Sequence, residues 1–187
     1  MKIEKTILEG VLIIEPDVFP DARGFFMETF EEKRYVEALG LSVEERFVQD
    51  NLNVSKKGVL RGLHYQAPPF AQGKLVSVLR GRVLDVAVDI RSGSPTFGKH
   101  VMVELSAENH RQFFIPRGFA HGFLVLEDET IFTYKCTNVY SKEHDRGVLW
   151  NDPALGIAWG TENPIVSEKD QKHPLLQDIV KEFDHKK

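Results

Sequence analysis

The chain has 187 residues, 42% hydrophobic and 28% charged, with a formal net charge of −4, which excludes disordered and fibrous classes and allows one sizeable core without disulfides. No Lys/Arg-rich run offers a phosphate-tracking stripe, so nucleic acid is excluded as a partner and an anionic ligand has to be held by a local cluster of cations. The single cysteine, Cys136, rules out a disulfide framework; acids interrupt Met1 to Gly10 where a secretory leader needs an apolar run, and no stretch nears the ~18 apolar residues of a membrane span, so the expected address is the cytoplasm.

In chain order, the first patterned stretch is Asp21-Ala-Arg23-Gly24-Phe25-Phe26, which reads as a turn. Thr29-Phe-Glu-Glu32 has capping-box spacing and predicts a helix over Phe30 to Leu39 that ends at Gly40 as its C′ residue. From Arg46 to Tyr140 the pattern changes to short apolar or alternating runs broken by Gly, Pro, Asn and Asp, with strands expected over Lys74 to Leu79, Val83 to Ile90 and Lys99 to Leu105. Arg80-Gly81-Arg82 between two of these runs predicts a tight turn. The expected class is all-β, an antiparallel double-sheet jelly-roll barrel with short flanking helices. After Tyr140 the chain is turn-rich, and Pro174 followed by the apolar spacing of Leu175 to Phe183 predicts a closing helix. No repeat, low-complexity run or linker divides the chain, so residues 1–187 are expected to form a single domain.

The segment Gly58-Val-Leu-Arg61-Gly-Leu-His64-Tyr-Gln66, followed by Lys74 and Gly81, resembles a cupin metal motif whose ligands have been replaced. That pattern runs Gly, five residues, His-x-His, a few residues, Glu, six residues, Gly; here Gln66 stands for the second His and Lys74 for the Glu. The second half, Pro116-Arg-Gly118-Phe-Ala-His121, keeps Pro-x-Gly-x-x-His. An ammonium among the ligands repels a divalent ion, so no metal or other cofactor is expected. A lone histidine is ordinarily a hydrogen-bonded surface or core residue, but His64 and His121 at this spacing can converge inside a small barrel, where an unliganded imidazole moves protons near neutral pH. Alternation puts Phe132, Tyr134 and Cys136 on one strand face. Tyr134 reads either as an aromatic core residue with its hydroxyl at a rim or, if it faces the same cavity as His64, as an acid candidate, and Cys136 reads as a small core residue. Lys74, which shares a face with Val76 and Val78, is either a snorkelling edge residue or a functional cation in a pocket. Arg61 has the opposite parity to His64 unless Gly62 marks a bulge. His100, His110, His144, His173 and His185 lack partner spacing and are expected to be structural.

Taken in order, Asp21-x-Arg23-Gly24-x-Phe26-x-Glu28, Gln49-Asp-Asn51, the Gly58 to Gln66 segment, Gly73-Lys74-Leu, Pro116-x-Gly118-Phe-Ala-His121-Gly122-Phe, Tyr134-Lys135, Glu143, Trp150-x-Asp152-Pro153 and Ser167-x-Lys169-Asp170 resemble the dTDP-4-dehydrorhamnose 3,5-epimerase family of cupin-fold enzymes across almost the whole chain. The resemblance implies a dTDP-4-keto-6-deoxy sugar as substrate, a homodimer, His64 as general base, Asp170 as its orienting carboxylate and Tyr134 as the acid on the opposite sugar face. It further implies that Lys74 stabilises the enolate oxygen with His121 nearby, that Arg23, Glu28, Gln49, Asn51, Arg61, Glu143 and Lys169 bind the nucleotide sugar, and that Tyr140 stacks on the thymine. The chief alternative is a one-centre epimerase or ketoisomerase of the same family. A metal-dependent cupin oxygenase is disfavoured by Gln66 and Lys74, and a non-catalytic sugar-nucleotide binder by the joint presence of His64, Tyr134 and Asp170.

Overall fold

A computed structural model describes residues 1–42 and 45–185. The elements run β1 (Lys2–Lys5), β2 (Leu12–Glu15), β3 (Val18–Asp21), β4 (Gly24–Met27), α1 (Glu32–Ala38), β5 (Gln49–Ser55), β6 (Val59–Gln66), β7 (Lys74–Arg80), β8 (Arg82–Asp89), β9 (His100–Ser106), β10 (Gln112–Ile115), β11 (Phe119–Val125), β12 (Thr130–Cys136), β13 (Asp145–Gly147) and β14 (Ile165–Val166). One six-stranded sheet has the order β1-β2-β10-β7-β12-β5; the other is β13-β6-β11-β8-β9, with β14 joined in parallel to β6, and β3 and β4 form a separate hairpin. The remaining pairings are antiparallel, and the two sheets enclose one core, as the strand rhythm predicts. No helix among the described residues is long and apolar enough to cross a membrane.

Three expected strands fall within one residue of their observed ends, and Gly81, at φ +78°, makes the turn between β7 and β8. The core fills with inward residues from both sheets, Val76, Phe113 and Phe132 from the first meeting Ala87, Leu105 and Phe123 from the second. Phe123 and Phe132 stack across the gap at 4.1 Å between ring centroids, and truncating fully buried Phe132 to Ala would cost about 3–5 kcal/mol. β8 and β11 are largely buried on both faces because the second sheet is covered twice, inside by the barrel core and outside by Trp159, Leu176 and Ile179 of the C-terminal segment.

Two expectations are corrected. Helix α1 is shorter than Phe30 to Leu39 and is capped by Glu31, whose carboxylate accepts from the N–H groups of Lys33 and Arg34 at 3.1 and 2.8 Å. Thr29 lies two residues before this N-cap and does not cap the helix; its carbonyl accepts a 2.7 Å bond from the Gln112 side chain, which ties it to β10. Gly40, at φ +65°, does follow the helix as predicted. The closing helix over Leu175 to Phe183 is absent; only Leu176–Asp178 forms a 3₁₀ turn. The backbone there bonds to other segments: Leu176 N–H donates to Asp152 at 2.7 Å, Ser92 N–H to Phe183 carbonyl at 2.7 Å, and His185 N–H to Ser92 carbonyl at 2.9 Å. Leu176 and Ile179, spaced like one helix face, instead lie along the outside of the second sheet.

Candidate active site

At one end of the barrel the interior turns polar. Strand β5 reads Gln49-Asp-Asn-Leu-Asn-Val-Ser55, and its exposure alternates so that Gln49, Asn51, Asn53 and Ser55 face inward while Leu52 and Val54 face outward. A strand that buries amides and exposes apolar groups has the usual preference inverted, because its inner face lines a polar cavity instead of the core. That cavity has two adjoining lobes of about 310 and 320 Å³ that share Asn51, His64, Lys74 and Tyr134. The first lobe adds Gln49, Gln66, Gln72, Tyr140, Asp145 and Lys169, and the second adds Asn53, Arg61, His121, Phe123 and Phe132.

His64 on β6 and His121 on β11 are direct partners across the ladder, yet Arg61 and Phe123 are also partners, so β6 carries one extra residue at Gly62 and Leu63. This bulge brings Arg61 and His64 to one cavity despite their opposite parity, as the Gly62 exception in the sequence allows. Behind His64 lies buried Asp170. His64 Nε2–H donates to its Oδ1 at 2.7 Å, and Gly62 N–H donates to its Oδ2 at 3.2 Å. Burial pushes the Asp170 carboxyl up, but the neighbouring imidazoles of His173 and His64 and the Gly62 N–H outweigh it and hold the group well below the usual carboxylate range. With Nε2 bonded to a carboxylate, the neutral imidazole keeps Nδ1 as its free acceptor. Burial lowers the His64 pKa, Asp170 opposes this, and the positive charges of Lys74 and Lys169 add to the lowering.

A second imidazole–carboxylate pair lies beside the first: His121 Nε2 is 2.9 Å from Oδ1 of Asp85, whose Oδ2 is buried with no hydrogen-bond partner among the described residues. Burial pushes the Asp85 carboxyl up, opposed by His121 and Lys74. Lys74, on β7 of the opposing sheet, is lowered by burial, partly offset by Cys136, Asp145 and Asp85. Tyr134 on β12 is raised by burial, with Arg61 opposing. Cys136 is a buried free thiol beside Lys74, the small interior residue that the alternation predicts. At the rim, Tyr140 Oη donates to Asp145 at 3.0 Å, its N–H donates to Gln49 Oε1 at 2.9 Å, and the Lys169 ammonium bonds Asp145.

A family model described as dTDP-4-dehydrorhamnose 3,5-epimerase matches residues 5–178. The chain belongs to this family. It is 60% identical over 170 residues to the dTDP-4-dehydrorhamnose 3,5-epimerase of Shigella flexneri, covering 91% of this chain and 93% of that one. It superposes with a TM-score of 0.95 on the Legionella pneumophila 3,5-epimerase solved with dTDP-4-keto-L-rhamnose, at 51% identity and with 100% and 99% of the two chains covered. A dTDP-4-dehydrorhamnose 3-epimerase of Streptomyces niveus is 38% identical over 94% of this chain and 84% of its own.

Within this epimerase, Gln49, Asn51, Arg61, His64, Lys74, His121, Tyr134, Tyr140 and Lys169 line the cavity, and Asp170 backs His64. Three predicted residues lie elsewhere in the chain. Arg23 sits 90% exposed on the β3–β4 hairpin, paired with Asp21; Glu28 pairs with Arg34 at 2.7 Å; and Glu143 is exposed on a 3₁₀ turn. Sequence reasoning missed Asp85 and Asp145, and it treated His173 as structural although its Nε2 lies 3.6 Å from Oδ1 of Asp170. The alternation of β5 was a readable signal for Asn53; for the acids only a spatial partner distinguishes them.

Proposed function

We propose that the protein epimerises carbons 3 and 5 of a dTDP-4-keto-6-deoxyhexose by removing a proton alpha to the C4 ketone and returning one to the other face, and that it acts in the cytoplasm. The observation that carries this reading is that an imidazole with its outer nitrogen on a carboxylate, a protonated phenol and a buried ammonium reach one cavity from opposing sheets. His64 Nδ1 takes the proton, Asp170 steadies the imidazolium, and Tyr134, held in its acid form by burial, donates from the other sheet. Negative charge then sits on the C4 oxygen. The Lys74 ammonium has no hydrogen-bond or ion-pair partner among the described residues, and one such preorganised donor is worth about 3 kcal/mol in a water-poor site. Arg61 and Lys169 are the cavity cations for the diphosphate, and Tyr140 at the rim is placed for a base.

The cavity residues do not fit the divalent ion of the cupin pattern, since Lys74 occupies one ligand position and Gln66 another, its Oε1 accepting the Ser141 N–H at 2.9 Å. We therefore read the reaction as metal-independent. We also read the protein as a homodimer. The outward apolar residues of β5, with Leu79, Phe25 and Phe26, are more than half exposed, and Leu52 and Leu79 among them line a groove of about 380 Å³ on the outer face of the first sheet. Arg23 on the exposed hairpin and Glu28 just after it would meet a nucleotide sugar in the site of a second copy.

Incubation with dTDP-4-keto-6-deoxyglucose in heavy water tests the chemistry. Deuterium is expected at both C3 and C5, and His64→Ala should abolish incorporation while leaving dTDP affinity within about twofold, because the base meets the proton and not the diphosphate. Deuterium confined to C3 in the wild type would make this a one-centre epimerase, and turnover retained by His64→Ala would remove His64 as base.

A further inference from the structure

Behind the His64–Asp170 pair, outside the cavity lining, lies a third group that the chemistry above does not use. The His173 side chain is only 9% exposed, its ring meets that of His64 edge-on at 5.5 Å and 76°, and its Nε2 points at the Asp170 oxygen that already accepts from His64. At 3.6 Å this is not yet a hydrogen bond, and Nε2 is buried with no hydrogen-bond partner among the described residues. Closing to an ordinary N–H···O length takes a shift of roughly 0.7 Å.

The slot that holds the ring is built into the sheet. Gly147 on β13 is the direct partner of His64 on β6, and a Cβ at Gly147 would fall 2.4–2.6 Å from the His173 ring. Gly147 is not among the glycines with left-handed φ, so its backbone does not need glycine. What a side chain there would remove is the space for His173.

We infer that His173 is a positioning residue of the proton-transfer machinery, the outer imidazole of a His64–Asp170–His173 array that fixes the shared carboxylate oxygen while His64 becomes charged; this rests on the reading of His64 as the base. A carboxylate with one strong donor can rotate about its Cβ–Cγ bond. Gly62 N–H restrains Oδ2, and a donor from His173 on Oδ1 restrains the other oxygen on the side away from the cavity. Since Asp170 matters most when His64 carries the proton, loss of His173 should act on kcat and not on KM.

The experiment compares kcat and KM for deuterium exchange and inversion in wild type, His173→Phe, His173→Gln, Asp170→Asn, His173→Phe combined with Asp170→Asn, and His64→Ala. Phe fills the slot without a donor, whereas the Gln amide can place an N–H near the site of Nε2. His173→Phe should lower kcat roughly tenfold with KM within twofold, His173→Gln should regain most of that loss, and His173→Phe should cost nothing further in the Asp170→Asn background. Wild-type kcat in folded His173→Phe, multiplying losses in the double variant, or a Gln variant as slow as Phe would overturn the proposal. Should His173→Phe fail to fold, nitrogen NMR of the wild-type imidazoles decides: a His173 Nε2 proton whose shift changes in Asp170→Asn supports the array, and an unprotonated or unresponsive Nε2 removes it. His64→Ala keeps the two readings apart. If it is inactive while His173→Phe runs at the wild-type rate, only the role of His173 falls; if it remains active, the base assignment falls.

Discussion

His64 and Tyr134 are displaced by burial in opposite directions along the pH scale, and both displacements favour the forms a base and an acid need. Burial lowers the imidazole, so its neutral, proton-accepting form persists below the ordinary histidine value of about 6.5, and activity that depends on it is lost only as pH falls through the lowered pKa. Burial raises the phenol, so its proton stays on until pH exceeds the ordinary tyrosine value of about 10. The kcat/KM profile should therefore be a broad bell with its acid limb below about 6.5 and its alkaline limb above about 10. An acid limb above that histidine value would mean that the Asp170 bond outweighs burial in setting the base. Such a limb should then shift downward in Asp170→Asn.

At the scale of the element, β6 sets the site through its bulge. Gly62 has φ +128°, and a Cβ there would lie 2.5 Å from the Gly122 Cα on β11 and 2.8 Å from the His121 carbonyl. Both the conformation and the contact exclude a side chain, so Gly62→Ala should destabilise the fold by about 1–3 kcal/mol and lower turnover by re-registering Arg61 against His64. Urea unfolding with parallel kinetics checks this, and an unchanged midpoint would show that the bulge tolerates a side chain. The same strand shows how far sequence reaches. Gly62 was readable as an exception to alternation, and the β7, β8 and β9 spans followed from apolar runs, because these are local properties of the chain. Leu175 to Phe183 was misread because helical spacing of Leu176 and Ile179 also serves an extended segment whose backbone partners, Ser92 and Asp152, are distant in sequence. Asp170 was placed by resemblance, since 106 residues separate it from His64, and His173 and Asp85 became visible only through the oxygen or nitrogen they face.

For the whole molecule, the two outer sheet faces differ in how they are covered. The second sheet is closed off by Val148, Leu155, Trp159, Leu176 and Ile179, whereas the first is sheltered by α1 and its neighbours around Tyr35 but leaves Leu52 61% and Val54 58% exposed on β5. β5 is also the edge of its sheet, a position that proteins usually blunt with charge, and here Asp50 is the one charged residue of the strand, paired at 3.0 Å with Lys135 of β12. A second copy packed on this face would bury each apolar residue twice by symmetry, about 1.5–3 kcal/mol per large side chain. Sedimentation equilibrium at micromolar protein should thus report twice the 21.3 kDa chain mass. Val54→Glu, which puts two like charges into the symmetric contact at a residue that lines neither lobe of the cavity, should shift the mass toward monomer by at least tenfold in dissociation constant. Activity should fall along with assembly if the proposed homodimer holds, because Arg23 and Glu28 lie outside the cavity of their own chain and would reach a ligand across the interface. A wild-type protein that sediments as a monomer, or a monomeric Val54→Glu variant with full turnover, would confine the site to one chain and leave Arg23 and Glu28 without a role in binding.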